Sequence, residues 1–326
     1  MLYWLIPITV LLTLAVLAVM IMLICFVRIF YSGRRKQKSK KDLPLPSGKV
    51  YEPHYEQITK WVKELRDMEH TEVSVTSFDG LTLCGKYYEC QKGAPIEILF
   101  HGYKGSAERD LCGGAYRCFT VGHNALIVDQ RAHGDSEGRV ITFGAKESRD
   151  CLTWIDFVIK HIDQDAEIII TGISMGAATV MNASAMELPP NVVGVLADCG
   201  YTSTKEIVKK VMTDMKLPAK LLYPFARLGA KLFGGFDPDE LSPIQAMKQC
   251  HLPIIFFHGG TDDYVPCSMS EENFEVCTSE KKRLVIIPGA GHGLCFPVDM
   301  KTYFRELEDF FGKTDSLSLS PTHLNR

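Results

Sequence analysis

"EIIITGISMGAATVMNASAMEL", residues 167–188, starts with β-branched apolar residues, passes through Gly172-Ile173-Ser174-Met175-Gly176 and continues rich in alanine and methionine. This reads as a strand, a tight turn and a helix. Such a turn holds its central serine in a strained backbone at the strand's C-terminal end, with the hydroxyl exposed. The glycines two before and two after are needed because side chains there would clash within the turn. The same Gly-x-Ser-x-Gly pattern recurs around Ser136, in "GDSEG". There the strand "ALIVD" has ended several residues earlier, and "RVITFG" after the motif does not begin a helix. Ser136 therefore reads as a loop residue, and Ser174 as the candidate nucleophile.

A serine hydroxyl needs a general base, itself oriented by a third group. In an open parallel sheet, reactive groups gather at the C-terminal ends of the strands. After the strand "PIIFFHG" comes "GTDDYVP", which offers Asp262 and Asp263. After the last strand, "RLVIIPG", comes "AGHGLCF", which offers His292 between two glycines. The order serine, acid, histidine is that of a triad built on such a sheet. Two backbone N–H groups are also required for a developing oxyanion. The amide of Met175 is one candidate. The other is Tyr103, in "HGYKGS" after the strand "IEILF", where Gly102 lets the backbone come close. His101, His123, His133 and His258 read as structural, and Asp129 and Asp198 do not fit the acid position in the chain order.

Around these motifs, strands and helices alternate. Apolar runs at 96–100, 124–128, 168–171, 192–197, 254–257 and 284–287 are separated by helical stretches near 108–118, 145–161, 176–187, 268–277 and 298–311. Short unbroken apolar strands of this kind imply an α/β fold with a mostly parallel sheet covered by helices on both faces. An amphipathic helix over 55–68, with Ile58, Trp61, Val62 and Leu65 on one stripe, precedes a hairpin around Asp79-Gly80. The stretch between strands from about 203 to 250 is long and apolar, a candidate helical cap. Met212, Met215, Leu217, Leu221, Leu222, Tyr223, Phe225, Leu228 and Phe233 within it would line a pocket for an acyl or alcohol group.

The chain has 326 residues, 46% hydrophobic and 23% charged, with a net charge of -3. Nothing in that balance favours nucleic acid as a partner. Its 11 cysteines include no C-x-x-C pair, which suits free thiols in a reducing compartment rather than a zinc site. From Leu2 to Val27 no residue is charged, a run long enough to cross a bilayer as a helix. It lacks the basic start, short core and small-residue ending of a cleaved signal peptide, so it reads as an anchor over 1–32. Arg28, Arg34, Arg35, Lys36, Lys38, Lys40 and Lys41 follow it, which places the remainder in the cytoplasm by the positive-inside rule. Residues 33–50 read as a basic, proline-broken linker, 51–312 as the folded domain and 313–326 as a disordered tail.

The segments "LFHGYKGS", "DQRAHGDSEG", "GISMGAA", "HGGTDDYVP" and "GAGHG" together resemble the α/β-hydrolase superfamily, from about residue 72 to 312. The nearest likeness is to its bacterial serine-aminopeptidase-like and esterase/lipase-like branch. The resemblance assigns the acid to Asp262, from its position before Val265, and leaves Ser136 a structural role. Ala132 replaces a glycine usual in the "DQRAHGDS" segment. The expected activity is carboxylic ester hydrolysis on a small-molecule or lipid substrate by Ser174, His292 and Asp262, needing no metal or cofactor. Amide or peptide hydrolysis, or acyl transfer, by the same residues is the alternative. The sequence carries no signal for oligomeric state.

Overall fold

Alternation along β3 (Ile96–Phe100) explains how the core divides. Ile96, Ile98 and Phe100 face one side of the sheet, while Leu99 faces the other. The computed structural model describes residues 2–33 and 45–312. The basic run Arg34–Lys41 and the tail 313–326 lie outside the described residues.

The strands are β1 (Thr71–Thr76), β2 (Thr82–Tyr88), β3, β4 (Asn124–Val128), β5 (Ile168–Ile173), β6 (Val192–Asp198), β7 (Ile254–Gly259) and β8 (Lys282–Ile287). They form one sheet in the order β1-β2-β4-β3-β5-β6-β7-β8. β2 runs antiparallel to both β1 and β4, and every other pairing is parallel. Parallel pairing sends the chain back across a face after each strand. The C-terminal ends of β3, β5, β6, β7 and β8 therefore meet along one edge.

The helices are α1 (Leu2–Ile29), α2 (Tyr55–Asp67), α3 (Ala107–Thr120), α4 (Glu147–Phe157), α5 (Met175–Ala183), α6 (Thr204–Asp214), α7 (Ala219–Gly234), α8 (Pro243–Met247), α9 (Ser268–Val276), α10 (Cys295–Val298) and α11 (Met300–Phe311). One face of the sheet packs against α4, α5 and α8, with Trp154, Met181 and Met247 buried. The other packs against α2, α3 and α11, with Trp61, Leu111 and Leu307 buried. The stripe Ile58, Trp61, Val62 and Leu65 of α2 is the face it buries, as its spacing predicts. The stretch expected as one helix over 145–161 ends α4 at Phe157 and continues as a π turn over Val158–Ile162.

One polar residue sits in the middle of the apolar strand β3. Glu97 is buried against Arg117 of α3, whose guanidinium donates to both carboxylate oxygens at 2.8 and 2.5 Å. Thr171 donates to it at 2.8 Å, and His123 Nδ1 lies 2.9 Å away. Burial raises the Glu97 pKa. Arg117 and His123 outweigh that and hold it far below the usual carboxylate range.

The cap between β6 and β7 consists of α6 and α7; α8 already belongs to the core. The cap's partner is α1. Cys25 and Phe26 of α1, with Phe30 just beyond it, are buried in a third cluster with Tyr223, Ala226, Ala230 and Phe236. The last turns of the N-terminal helix are thus built into the domain, whereas the sequence alone reads them as a separate anchor. Ile141 N donates to Phe30 O at 2.8 Å, and Ser32 N donates to Arg139 O at 2.9 Å, extending that attachment beyond the helix.

Candidate active site

β5 runs directly into α5, and Ser174 occupies the single residue between them. Its φ of 57° and ψ of -113° lie in a region that non-glycine residues rarely enter. The flanking glycines account for how so sharp a turn fits. A Cβ on Gly172 would overlap the Gly176 backbone, and one on Gly176 would overlap the Phe100 carbonyl of β3. Ser174 N donates to Asp198 O at 2.8 Å, which fastens the turn to the end of β6.

His292, in the loop after β8, places Nε2 2.9 Å from Ser174 Oγ. Its Nδ1 lies 2.7 Å from Asp262 Oδ2, in the loop after β7. A proton on Nδ1 satisfies both contacts: Nδ1–H donates to the carboxylate, and Nε2 accepts from the serine hydroxyl. The other carboxylate oxygen of Asp262 accepts from the amides of Tyr264 and Val265 at 3.0 and 2.9 Å. His258 Nε2 donates to Val265 O at 2.9 Å and lies 3.3 Å from Asp262 Oδ2. Burial raises the Asp262 pKa, but His258, His292 and the Val265 amide more than offset it and leave the carboxyl well below its ordinary value. Asp263, the neighbouring acid, is exposed, and its carbonyl accepts from Lys210 Nζ.

The loop after β3 passes close to the serine: a Cβ on Gly102 would stand 3.5 Å from Ser174 Cβ. Tyr103 follows in that loop, and Met175 opens α5 on the other side of Ser174. The loop is held by the segment after β4. Gln130 Nε2 donates to His101 O at 2.6 Å, and Lys104 N donates to His133 Nε2 at 3.1 Å. His101 Nδ1–H in turn donates to Gly102 O at 2.8 Å, leaving Nε2 to accept from Gln130 N. His101 and His133 thus carry structural contacts. Ser136 does too: its Oγ donates to Asp129 O at 2.5 Å and accepts from Cys84 N at 2.8 Å.

The sequence profile of the alpha/beta hydrolase family matches residues 98–306. The chain belongs to that family. Among its relatives, Bacillus subtilis (strain 168) YqkD is 28% identical over 250 residues, covering 76% of this chain and 81% of that one. Protein bem46 of Schizosaccharomyces pombe is 24% identical over 287 residues, covering 87% and 85%. In structure, the chain is similar to the Pyrococcus furiosus esterase Pf2001, with a TM-score of 0.63 and 22% identity over 83% of this chain and 96% of that one.

In this hydrolase a cavity of about 530 Å³ lies beside Ser174 and His292. No residue of α6 or α7 lines it. The apolar cap residues expected to form a substrate pocket instead pack on α1 or stand exposed. Trp61, Arg109, Phe296 and Asp198 supply the walls, together with Val50 and Tyr51. The end of the stretch read from sequence as linker, Pro46, Ser47, Gly48 and Val50, thus forms one side of the cavity with Tyr51. Val50 and Tyr51, apolar side chains just after Ser47-Gly48-Lys49, are a signal that could have marked it. Burial pushes the Tyr51 hydroxyl well above its ordinary pKa, and nearby Cys199, Asp110 and Asp262 add to that, so it stays protonated.

Among the described residues, Cys199, Asp262 and His292 bring three potential metal-ligand atoms within 4.8 Å of one another. This donor set fits a metal poorly. The carboxylate and imidazole already engage each other, and burial pushes the Cys199 thiol far above its usual pKa, disfavouring the thiolate a metal needs.

Proposed function

We propose that this alpha/beta hydrolase is a membrane-anchored serine hydrolase of carboxylic esters, with its catalytic domain on the cytoplasmic side. The observation that carries the reading is the unbroken chain Ser174 Oγ–His292 Nε2, His292 Nδ1–Asp262 Oδ2, at 2.9 and 2.7 Å, beside a cavity large enough for a small ester. Ser174 attacks the ester carbonyl as His292 Nε2 takes its proton. The proton then passes to the leaving alcohol as the acyl-enzyme forms. Asp262 holds His292 in the required tautomer and stabilises the imidazolium. The amides of Tyr103 and Met175 receive the oxyanion, and water activated by His292 releases the acid. The strained backbone at Ser174 keeps the hydroxyl fixed where attack occurs.

The anchor reading rests on Ile6–Ile29, a helix long and apolar enough to cross a bilayer and exposed along most of its length. An integrated C-terminal end argues against removal as a signal peptide. Phe26 and Phe30 lie in the domain core, and Tyr103 OH donates to Ile29 O at 2.6 Å. The basic residues after α1 supply the orientation.

Three measurements test the proposal. Fluorophosphonate labelling should be strong in the wild type and vanish in Ser174→Ala; equal labelling of both would overturn the nucleophile. Turnover of aryl esters should exceed that of matched anilides; the reverse order would make the enzyme an amide hydrolase. A reporter fused to each end of α1 should place the domain in the cytoplasm.

A further inference from the structure

We propose that cap helix α7 lies in the bilayer interface beside α1, so that the enzyme meets the membrane through two helices rather than one. This rests on reading α1 as a membrane span.

Outside α1, the large apolar side chains most open to solvent gather on the cap. Met215, Leu221 and Leu232 are 65%, 63% and 66% exposed, and Leu217 and Leu228 are exposed with them. Positions 221, 224, 228 and 232 follow spacings of three, four and four, which places Leu221, Pro224, Leu228 and Leu232 along one face of α7, with Leu217 exposed just before the helix begins. The opposite face of α7 is buried: Tyr223, Ala226 and Ala230 pack on α1 and on the cap's own core. A helix in water alone would turn polar residues outward here. An exposed apolar stripe of this length marks an interaction surface.

The stripe's position beside α1 identifies what covers it. Gly229 lies against the Met22 carbonyl, where a Cβ would collide. Phe233 stands over Phe26 at 5.8 Å, and Phe236 over Phe30 at 5.3 Å. These pairs advance together along both chains, so the two helices run in the same direction. Ala18, Ile21, Met22, Cys25, Phe26 and Ile29 are the positions of α1 with reduced exposure, a stripe that carries the contact back three turns. The N-terminal end of α7 therefore follows α1 towards its lipid-facing part. Lys216 and Lys220 are exposed beside the stripe, where long basic side chains reach back to headgroups, while Lys231 is paired with Asp237 at 2.7 Å.

The test uses the full-length chain in phospholipid nanodiscs carrying doxyl-labelled acyl chains. A fluorescent noncanonical residue replaces Leu228, Leu14 or Glu280, three exposed positions, in separate preparations. Doxyl lipid should quench the probes at 228 and 14 by about twofold or more, because interfacial helices bury their apolar face about 5–10 Å deep. The probe at 280 should be unaffected. Quenching at 14 without quenching at 228 would overturn the proposal while leaving the anchor standing. Quenching at neither would remove both. A probe at 228 that is shielded without lipid quenching, in a particle holding two chains, would assign the stripe to a second copy and overturn the bilayer assignment.

Discussion

Ser174 and Ser136 sit in the same five-residue pattern and share almost nothing else. Ser174 stands between a buried parallel strand and a helix, at φ 57°, with its hydroxyl facing an imidazole. The Ser136 hydroxyl has spent its proton on the Asp129 carbonyl and accepts the Cys84 amide, joining its loop to β2 and to the end of β4. A serine whose donor and acceptor capacity are both taken by backbone cannot be activated without breaking the loop that holds it. The chemistry lies in the elements either side of the pentapeptide, not in its letters.

That contrast should appear first in turnover. Ser174→Ala is expected to lose about 10⁴-fold or more in ester hydrolysis while keeping its circular dichroism spectrum. Ser136→Ala should hydrolyse at near the wild-type rate per folded molecule. Comparable losses in both would erase the distinction. Asp262→Asn should lose about 10⁴-fold, because the amide favours the wrong imidazole tautomer. Asp263→Asn should stay within a few-fold, since its side chain is exposed. The same carboxylate predicts a pH signature. The Asp262 pKa is depressed by folding, so its contribution to stability is fully present above about pH 4, the unfolded value, and is lost as pH falls through the folded one. Acid titration of thermal stability in Asp262→Asn should therefore be shallower than in the wild type.

Stability should then respond to both turns, for different reasons. Gly176→Ala forces a methyl into the Phe100 carbonyl and should cost about 1–3 kcal/mol or more in denaturant unfolding. Ser136→Ala removes the acceptor of the Cys84 amide and should cost about 1–3 kcal/mol. A neutral Ser136→Ala would mean that water replaces the hydroxyl.

The sheet and the three residues at its edge were legible because each is announced locally. Short apolar runs mark parallel strands, and glycines mark turns with no room for a Cβ. Ser174, Asp262 and His292 all fall where such a run ends. The surroundings of the site were not legible, for two physical reasons. Because α1 is apolar on every side, its sequence cannot single out Cys25, Phe26 and Ile29 as the stripe that packs on α7. The cap's apolar residues were equally ambiguous: a stripe facing a substrate and one facing lipid have the same periodicity, and only the path of α1 separates them. Glu97 is a further case. In "IEILF" it breaks an apolar run, and its partner Arg117 lies 20 residues away on a helix that only the fold brings near.

Ala132→Gly should give the smallest effect, and its sign is informative. Ala132 stands at φ 64° in the segment that carries Ser136, where glycine is the ordinary occupant. Left-handed backbone costs an L-residue about 1–2 kcal/mol, which glycine would recover. Against that, the Ala132 methyl is buried with Ile141 and Phe143, and losing it costs about 0.8 kcal/mol. Glycine also frees the unfolded chain, a further loss of about 0.4–1 kcal/mol. These nearly cancel, so the melting transition should stay within the equivalent of about 0.5 kcal/mol of wild type. A clear gain would mean that the chain stores strain beside the loop that carries Tyr103. A clear loss would mean that the methyl, packed against Ile141 and Phe143, is what keeps His133 in place to accept from Lys104 N and hold that loop near Ser174.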